Sequence, residues 1–243
     1  METNWSRKFQ AGKAAQSIIR GLLAGIAMLA VCGFASAQAR QDKQDKKEEF
    51  NFNPSLPPVT PPSITPPAGN RLFLAGHAFG SQGYVCLPAS NGVSWTVNNA
   101  RPEATLFSNI FGAPVQIITH FLSHNDNPLE NVVPPFGNAT WQSSFDRSKV
   151  WAAASLPKTI SAGTDQSCPT TGSIPCLLLQ AVGTQEGPTG GKILSETTFV
   201  QRLKTSGGAA PSNPSTGCLT GTDVGHQLLV PYSADYYFYR AED

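Results

Sequence analysis

Charge is scarce in this sequence. Asp, Glu, Lys and Arg together supply 14% of its 243 residues, with 17 basic residues against 16 acidic ones. No stretch carries enough charge of one sign to follow a phosphate backbone or an anionic membrane surface, so no nucleic-acid partner is expected. Histidine numbers only 4, and His120 and His124 alone fall close together. On a strand that spacing spreads the pair by about 13 Å, too far to share one ion. There is no C-x-x-C pair, so a structural zinc is not expected, and no metal or cofactor is assigned. Dinucleotide and phosphate loops are missing as well. Gly76, Gly80 and Gly83 lack the Gly-x-Gly-x-x-Gly spacing, and no helix pattern follows them. Gly187–Lys192 has Glu186 and Ile193 where a phosphate loop needs Gly and Ser or Thr, so it reads as a hairpin turn.

What is present begins with an export signal. Arg7, Lys8, Lys13 and Arg20 precede the apolar run Gly21–Phe34, which ends at Ala35-Ser36-Ala37. The run is shorter than the ~20 residues of a membrane helix. Residues 1–37 therefore read as a signal peptide, cleaved after Ala37, with no membrane span left behind. The expected location is secreted or periplasmic. Cys32 leaves with the leader, and Cys86, Cys168, Cys176 and Cys218 remain for disulfides in an oxidising compartment. The short interval from Cys168 to Cys176, with Pro169, Gly172 and Pro175 inside it, suits a local clip. Cys86–Cys218 would then be a long staple, although spacing leaves the other pairings open.

Residues 38–68 form the next segment. Up to Glu49 it is nearly all polar and reads as disordered. Pro57-Pro58, Pro61-Pro62 and Pro66-Pro67 then read as a stiff proline-rich linker. Residues 69–243 have the size of one domain. Strand-like runs dominate it, each closed by Gly, Pro, Asn or Ser: 72–75, 82–87, 93–97, 104–107, 115–121, 139–143, 150–154, 177–182, 198–205, 227–230 and 235–239. The expected fold is all-β, a single antiparallel β-barrel or β-sandwich.

Two runs carry the polar residues of interest. Leu72 to Cys86 reads as a strand, a glycine-rich bend and a second strand, with Gln82, Tyr84 and Cys86 on one face. In Thr198–Thr205, Phe199, Gln201 and Leu203 share one face, while Val200, Arg202 and Lys204 form the other, expected to be the wetter. His77 and His226 sit beside glycines with no visible partner. Asp146 reads as a turn-shaping residue after Trp141.

Several short motifs recur together: Gly80-x-Gln82-x-Tyr84-x-Cys86, Pro102-Glu103-Ala104-x-Leu106, His120-Phe121, Thr140-Trp141-x-x-x-x-Asp146, Gln201-Arg202 with Thr205-x-Gly207-Gly208, and Pro231-Tyr232-x-Ala234-Asp235-Tyr236-x-Phe238-Tyr239. Over Pro67–Tyr239 the chain resembles a family of exported bacterial and fungal proteins classed as a domain of unknown function. Some fungal members carry the label "malate dehydrogenase". The missing dinucleotide motif argues against that activity here. Cys176 stands where the family looks to prefer tryptophan, and Cys168 lies in an apparent insertion, consistent with an added local disulfide. The resemblance implies no catalytic residue.

The leading expectation is a non-enzymatic small-ligand-binding or structural β-module. Its barrel mouth would be lined by Gln82, Tyr84, His120, Trp141, Gln201 and Arg202, for a small molecule or an extracellular partner. The alternative is a secreted hydrolase or cyclase-like enzyme with His120 as base and Arg202 or Tyr84 as stabiliser. N-terminal sequencing of the exported protein should begin at Gln38; a protein that retains residues 1–37 after export contradicts the leader assignment.

Overall fold

The computed structural model describes residues 54–123, 137–153, 158–212 and 217–242, with the side chains of 98–102 excepted. The expected leader and charged segment lie outside the described residues. The strands are β1 (Asn70–Ala89), β2 (Gly92–Ile110), β3 (Ala113–Ser123), β4 (Asn138–Ser143), β5 (Lys149–Ala152), β6 (Lys158–Ile160), β7 (Cys176–Gln185), β8 (Thr197–Gly207) and β9 (Gln227–Ala241). All belong to one antiparallel sheet in the order β5-β4-β3-β2-β1-β9-β8-β7-β6, and β5 also pairs with β7. That extra pairing closes the sheet into a barrel, β1-β2-β3-β4-β5-β7-β8-β9 and back to β1. Strand β6 lies outside the ring, beside the first residues of β7. Among the described residues no helix is long and apolar enough to cross a membrane.

Several runs that read as separate strands are continuous. Leu72 to Cys86 is one strand without a bend. Its glycines serve close approach instead of a turn. A Cβ on Gly80 would run into the Glu103 carbonyl and Ala104, and one on Gly76 would press on Ile117 and Leu106. Absent side chains let β1 curve tightly against β2 and β3. Pairing with β2 then jumps between Gln82 and Tyr84, from Pro102 to Val97. This irregularity lets the β1–β2 hairpin continue past the barrel wall. At its other end β2 turns into β3 through Phe111 (φ 52°) and Gly112 (φ 84°), the two positive-φ positions of a tight hairpin.

Strand alternation sorts the side chains into two cores. The barrel interior holds Leu74, Ala78, Leu106, Ile118, Trp141, Val150, Val200, Tyr232, Tyr236 and Phe238. A second cluster lies on the outer wall of β7, β8 and β9 and includes Ile64, Leu178, Leu203, Tyr237 and Tyr239. Leu178 and Leu179 are thus apolar on opposite faces because both faces are covered.

The outer cover comes from residues expected to be linker. Ile64, in a short 3-10 turn at Pro62–Ile64, is fully buried. Gln201 donates its Nε2–H to the Ile64 carbonyl at 2.6 Å and accepts from the Tyr239 hydroxyl at 2.9 Å. The proline-rich stretch is therefore docked on the outside of the barrel wall at Ile64. An amide aimed outward between two covered layers needs such partners, because an unmade bond at a buried polar group is costly.

The disulfides are Cys86–Cys218 and Cys168–Cys176. The first ties the projecting β1–β2 hairpin to the segment before β9, where Cys86 also exchanges backbone bonds with Gly225 and His226. The second closes the loop ahead of β7, against the outer core.

Asp146 fastens the opposite end. Its Oδ1 accepts from the backbone N–H and hydroxyl of Ser148, and its Oδ2 from the N–H of Ile193. Burial by itself would raise this carboxyl, but those bonds, with Ser143, outweigh it and hold it below the usual aspartate value. The Gly187–Gly191 turn closes directly over Asp146, which leaves no room for side chains there. The phosphate-loop lookalike is thus a turn docked on an aspartate. Asn138, part of an Asn-Ala-Thr glycosylation signal, is only 4% exposed.

The disulfides enclose loops of very different length, with sequence separations of 132 and 8. Replacing Cys86 and Cys218 by serine should lower unfolding stability by about 5 kcal/mol, and Cys168 with Cys176 by about 2.5 kcal/mol. Urea unfolding of the two double variants checks the ranking; equal losses would mean that chain entropy does not govern the staples.

Candidate functional site

The two ends of the barrel differ. At one end, short turns join β2 to β3 and β4 to β5, and the Asp146 clamp holds the β7–β8 turn. The other end carries the projecting hairpin and the long connections β3–β4, β5–β7 and β8–β9. Long loops on a rigid wall are where binding residues concentrate.

Near that end a register row crosses the wall. Tyr232 (β9) pairs with Gly80 (β1), Gly80 with Ala104 (β2), Ala104 with His120 (β3), His120 with Trp141 (β4), and Trp141 with Val150 (β5). Small residues in the middle leave interior space for the rings on either side. His120 stacks on Trp141 at 4.3 Å with planes 6° apart, and Tyr236 stands 5.7 Å and 5.9 Å from the two rings. The Tyr232 and Tyr236 hydroxyls bond each other at 3.0 Å.

Arg202 enters this cluster from β8, opposite Tyr236. Its Nη2 donates to the Pro175 carbonyl at 2.8 Å, while its Nε is buried without a partner. The Trp141 Nε1–H is also buried and unpartnered. The face expected to be wetter is therefore the barrel interior at Val200 and Arg202, and Lys204 alone of that set is exposed. A backbone shift between Leu203 and Ser206, with Lys204 at φ 47°, breaks the alternation there.

Tyr84 closes the cluster from β1. Its hydroxyl donates to the Gly208 carbonyl at 2.6 Å. Burial raises its pKa above the usual tyrosine value, so it stays a phenol. Ile174 seals the same end: its N–H bonds the Gly207 carbonyl, its carbonyl accepts from Thr205, and its side chain joins the interior core.

His120 donates Nδ1–H to the Thr140 carbonyl at 2.8 Å, because a carbonyl can only accept. Its Nε2 is then the basic nitrogen. Burial pushes the imidazole down to about 4; the Thr140 carbonyl opposes that and the Arg202 charge adds to it. Burial also holds Tyr232 well above the usual tyrosine value, with Tyr236 adding to the effect.

Of the residues singled out from sequence, His120 and Trp141 stack inside the barrel and Arg202 faces Tyr236 from β8, while Tyr84 bonds the Gly208 carbonyl at the loop-rich end. Gln82 shares the inner face of β1 with Tyr84 by alternation and makes only a long 3.4 Å contact to the Gly83 carbonyl. Gln201 does not join them: it faces the opposite side of the wall and grips Ile64. His124 and Asp126 lie outside the described residues. Among the described residues, no three of His, Cys, Asp and Glu are grouped to hold a metal ion.

Sequence reasoning missed two arrangements. Tyr232, Ala234, Tyr236 and Phe238 alternate inward along β9, a period of two that the sequence itself carries. His77 lies on β1 and pairs with Asp235 of β9 at 2.6 Å on the outer wall, with Phe79 beside it at 4.7 Å. No spacing rule links residues so far apart in sequence.

A family model described as "Protein of unknown function (DUF3455)" matches residues 67–240. The chain belongs to this family. No curated protein and no solved structure gave a match. In this DUF3455 domain the matched span begins at Pro67, and the buried turn at Pro62–Ile64 lies just before it. Membership brings no activity with it, and the interior cluster has to be judged by its chemistry.

His120 links that cluster to stability. Its folded value, about 4, lies below the ordinary 6.5, so the unfolded chain holds the extra proton between the two. Its contribution is complete above pH 6.5 and falls by about 3 kcal/mol as the pH drops toward 4. Urea midpoints across that window should decline less steeply for His120→Gln than for the wild type; parallel slopes would place the acid sensitivity elsewhere.

Proposed function

We propose that this DUF3455 domain is an exported, non-enzymatic β-barrel that holds a small ligand inside its loop-rich end, against Gln82, Tyr84, His120, Trp141, Arg202, Tyr232 and Tyr236. The observation that carries the reading is the convergence of an arginine, a neutral histidine, paired tyrosines and an unpartnered indole N–H within one barrel interior. A module whose only task was structural gains nothing from buried donors without acceptors, since each costs stability. An eight-stranded ring is also wide enough for one small ligand once a few side chains give way. Entry requires the segment around Ile174 and Gly208 to shift, and the Tyr84 hydroxyl is the latch that holds it.

Gln201 belongs to the wall in this reading. Export is supported by the two disulfides, which suit an oxidising compartment. One observation favours the enzymatic alternative: His120 presents a basic Nε2 beside the Arg202 charge. A thermal-shift screen of small acids, amides, phenols and sugars against the mature protein tests the reading. Stabilisation that is lost in Trp141→Phe and Arg202→Gln supports binding at this site. A hit that the protein converts would favour the enzyme, and stabilisation unchanged in both variants would move the ligand elsewhere.

A further inference from the structure

Buried donors in the barrel outnumber acceptors. Among the described residues, Trp141 Nε1–H and Arg202 Nε–H have no partner. The Tyr232–Tyr236 hydroxyl pair shares one hydrogen bond, which leaves a second hydroxyl proton to give. On the acceptor side the cluster offers His120 Nε2, because Nδ1 is committed to Thr140. Among the described residues, no Asp or Glu appears with the buried polar side chains, which are His120, Asn138, Thr140, Ser143, Ser148, Ser167, Thr197, Gln201 and Thr205. The guanidinium of Arg202 therefore meets a neutral carbonyl, that of Pro175, in place of a counter-ion.

These groups are neighbours. Tyr236 pairs with Arg202 across β8 and β9, and its ring lies 5.9 Å from that of Trp141. A molecule seated against Tyr236 would face all the unused donors together. What satisfies them is an oxygen acceptor, and what satisfies Arg202 best is a charged one, since a charge-assisted bond is roughly twice as strong as a neutral one. One arginine matches one negative charge. A phosphate dianion would want a second cation or a cradle of backbone N–H groups, and a cationic ligand would meet Arg202 with no carboxylate to hold it. Around the donors the lining is apolar: Trp141, Phe238, Leu106 and Ile174.

Resting on the binding reading above, we infer that the ligand is a small monocarboxylic acid with an apolar body. Its carboxylate takes Arg202 from the Pro175 carbonyl and accepts from Trp141 Nε1 and the spare tyrosine hydroxyl, while its body lies against the aromatic rings.

Matched probes test this on the mature protein: benzoate against benzamide, and hexanoate against hexanamide, titrated by calorimetry and followed through the Trp141 indole N–H resonance, assigned with Trp141→Phe. The acids should bind about tenfold more tightly than their amides, the value of a hydrogen bond to a charged group, and should move the indole resonance. Arg202→Gln should erase the preference and Arg202→Lys should retain part of it. Should the variants fail to fold, the acid-to-amide ratio on the wild-type protein still decides. Equal binding of acid and amide would overturn the carboxylate and leave the binding reading in place. No binding of either member of both pairs would overturn both.

Discussion

The hydrogen bonds between β5 and β7 carry the architecture. They join Lys149–Ala152 to Ala181–Gln185 and turn an open sheet into a ring. Strand β5 is only 4 residues long, so the joint is short, and the Asp146 clamp lies directly beside it. Ser148, one residue before β5, is bonded both to Asp146 and to the N–H of Leu194 on the β7–β8 connection. The closing strands are thereby held at their termini as well as along the ladder. Closure removes the unpaired edges that an open sheet would expose there and fixes an interior that side chains must fill.

Once the ring is closed, every residue on a wall strand faces either the enclosed interior or the outside of the barrel. On β7, β8 and β9 the outside is covered too, by Ile64 and the Cys168–Cys176 loop. Two adjacent residues of one strand, Gln201 and Arg202, consequently meet opposite fates. Gln201 finds a partner for each end of its amide in Ile64 and Tyr239 and locks the N-terminal segment to the wall. Arg202 turns into the interior and, among the described residues, bonds only a carbonyl. The same sheet holds a satisfied polar contact and an unsatisfied one a single residue apart, and the contrast separates a structural residue from a candidate ligand contact.

Much of the fold was legible in the sequence because period-two alternation and turn residues are local signals. Strand-like runs, the all-β class and the clip suggested by the spacing of Cys168 and Cys176 all follow from near neighbours. Glycines misled at one point. Gly76 and Gly80 read as a bend, whereas their function is contact between strands, and the clash that excludes a Cβ comes from Glu103, Ala104 and Ile117, far along the chain. Alternation on β8 correctly grouped Phe199, Gln201 and Leu203 against Val200 and Arg202, yet it could not say which face was covered by what. For the same reason the site was half legible: Tyr84, His120, Trp141 and Arg202 stand out as polar or ring-bearing strand residues, while nothing local separates Tyr232 and Tyr236 from the other aromatic residues of β9.

By itself the sequence determined the all-β class, the facing of side chains within each strand-like run, and an even set of cysteines in the domain. Those depend on backbone geometry and on residues within a few positions of each other. Which wall pairs with which, that β5 meets β7, that Pro62–Ile64 docks, and that Arg202, His120, Trp141 and Tyr236 share one interior were decided only by the tertiary structure. Sheet register joins residues more than a hundred positions apart, as in Gly80 with Tyr232. Such pairings are set by the closure of the whole ring, and no local signal encodes them.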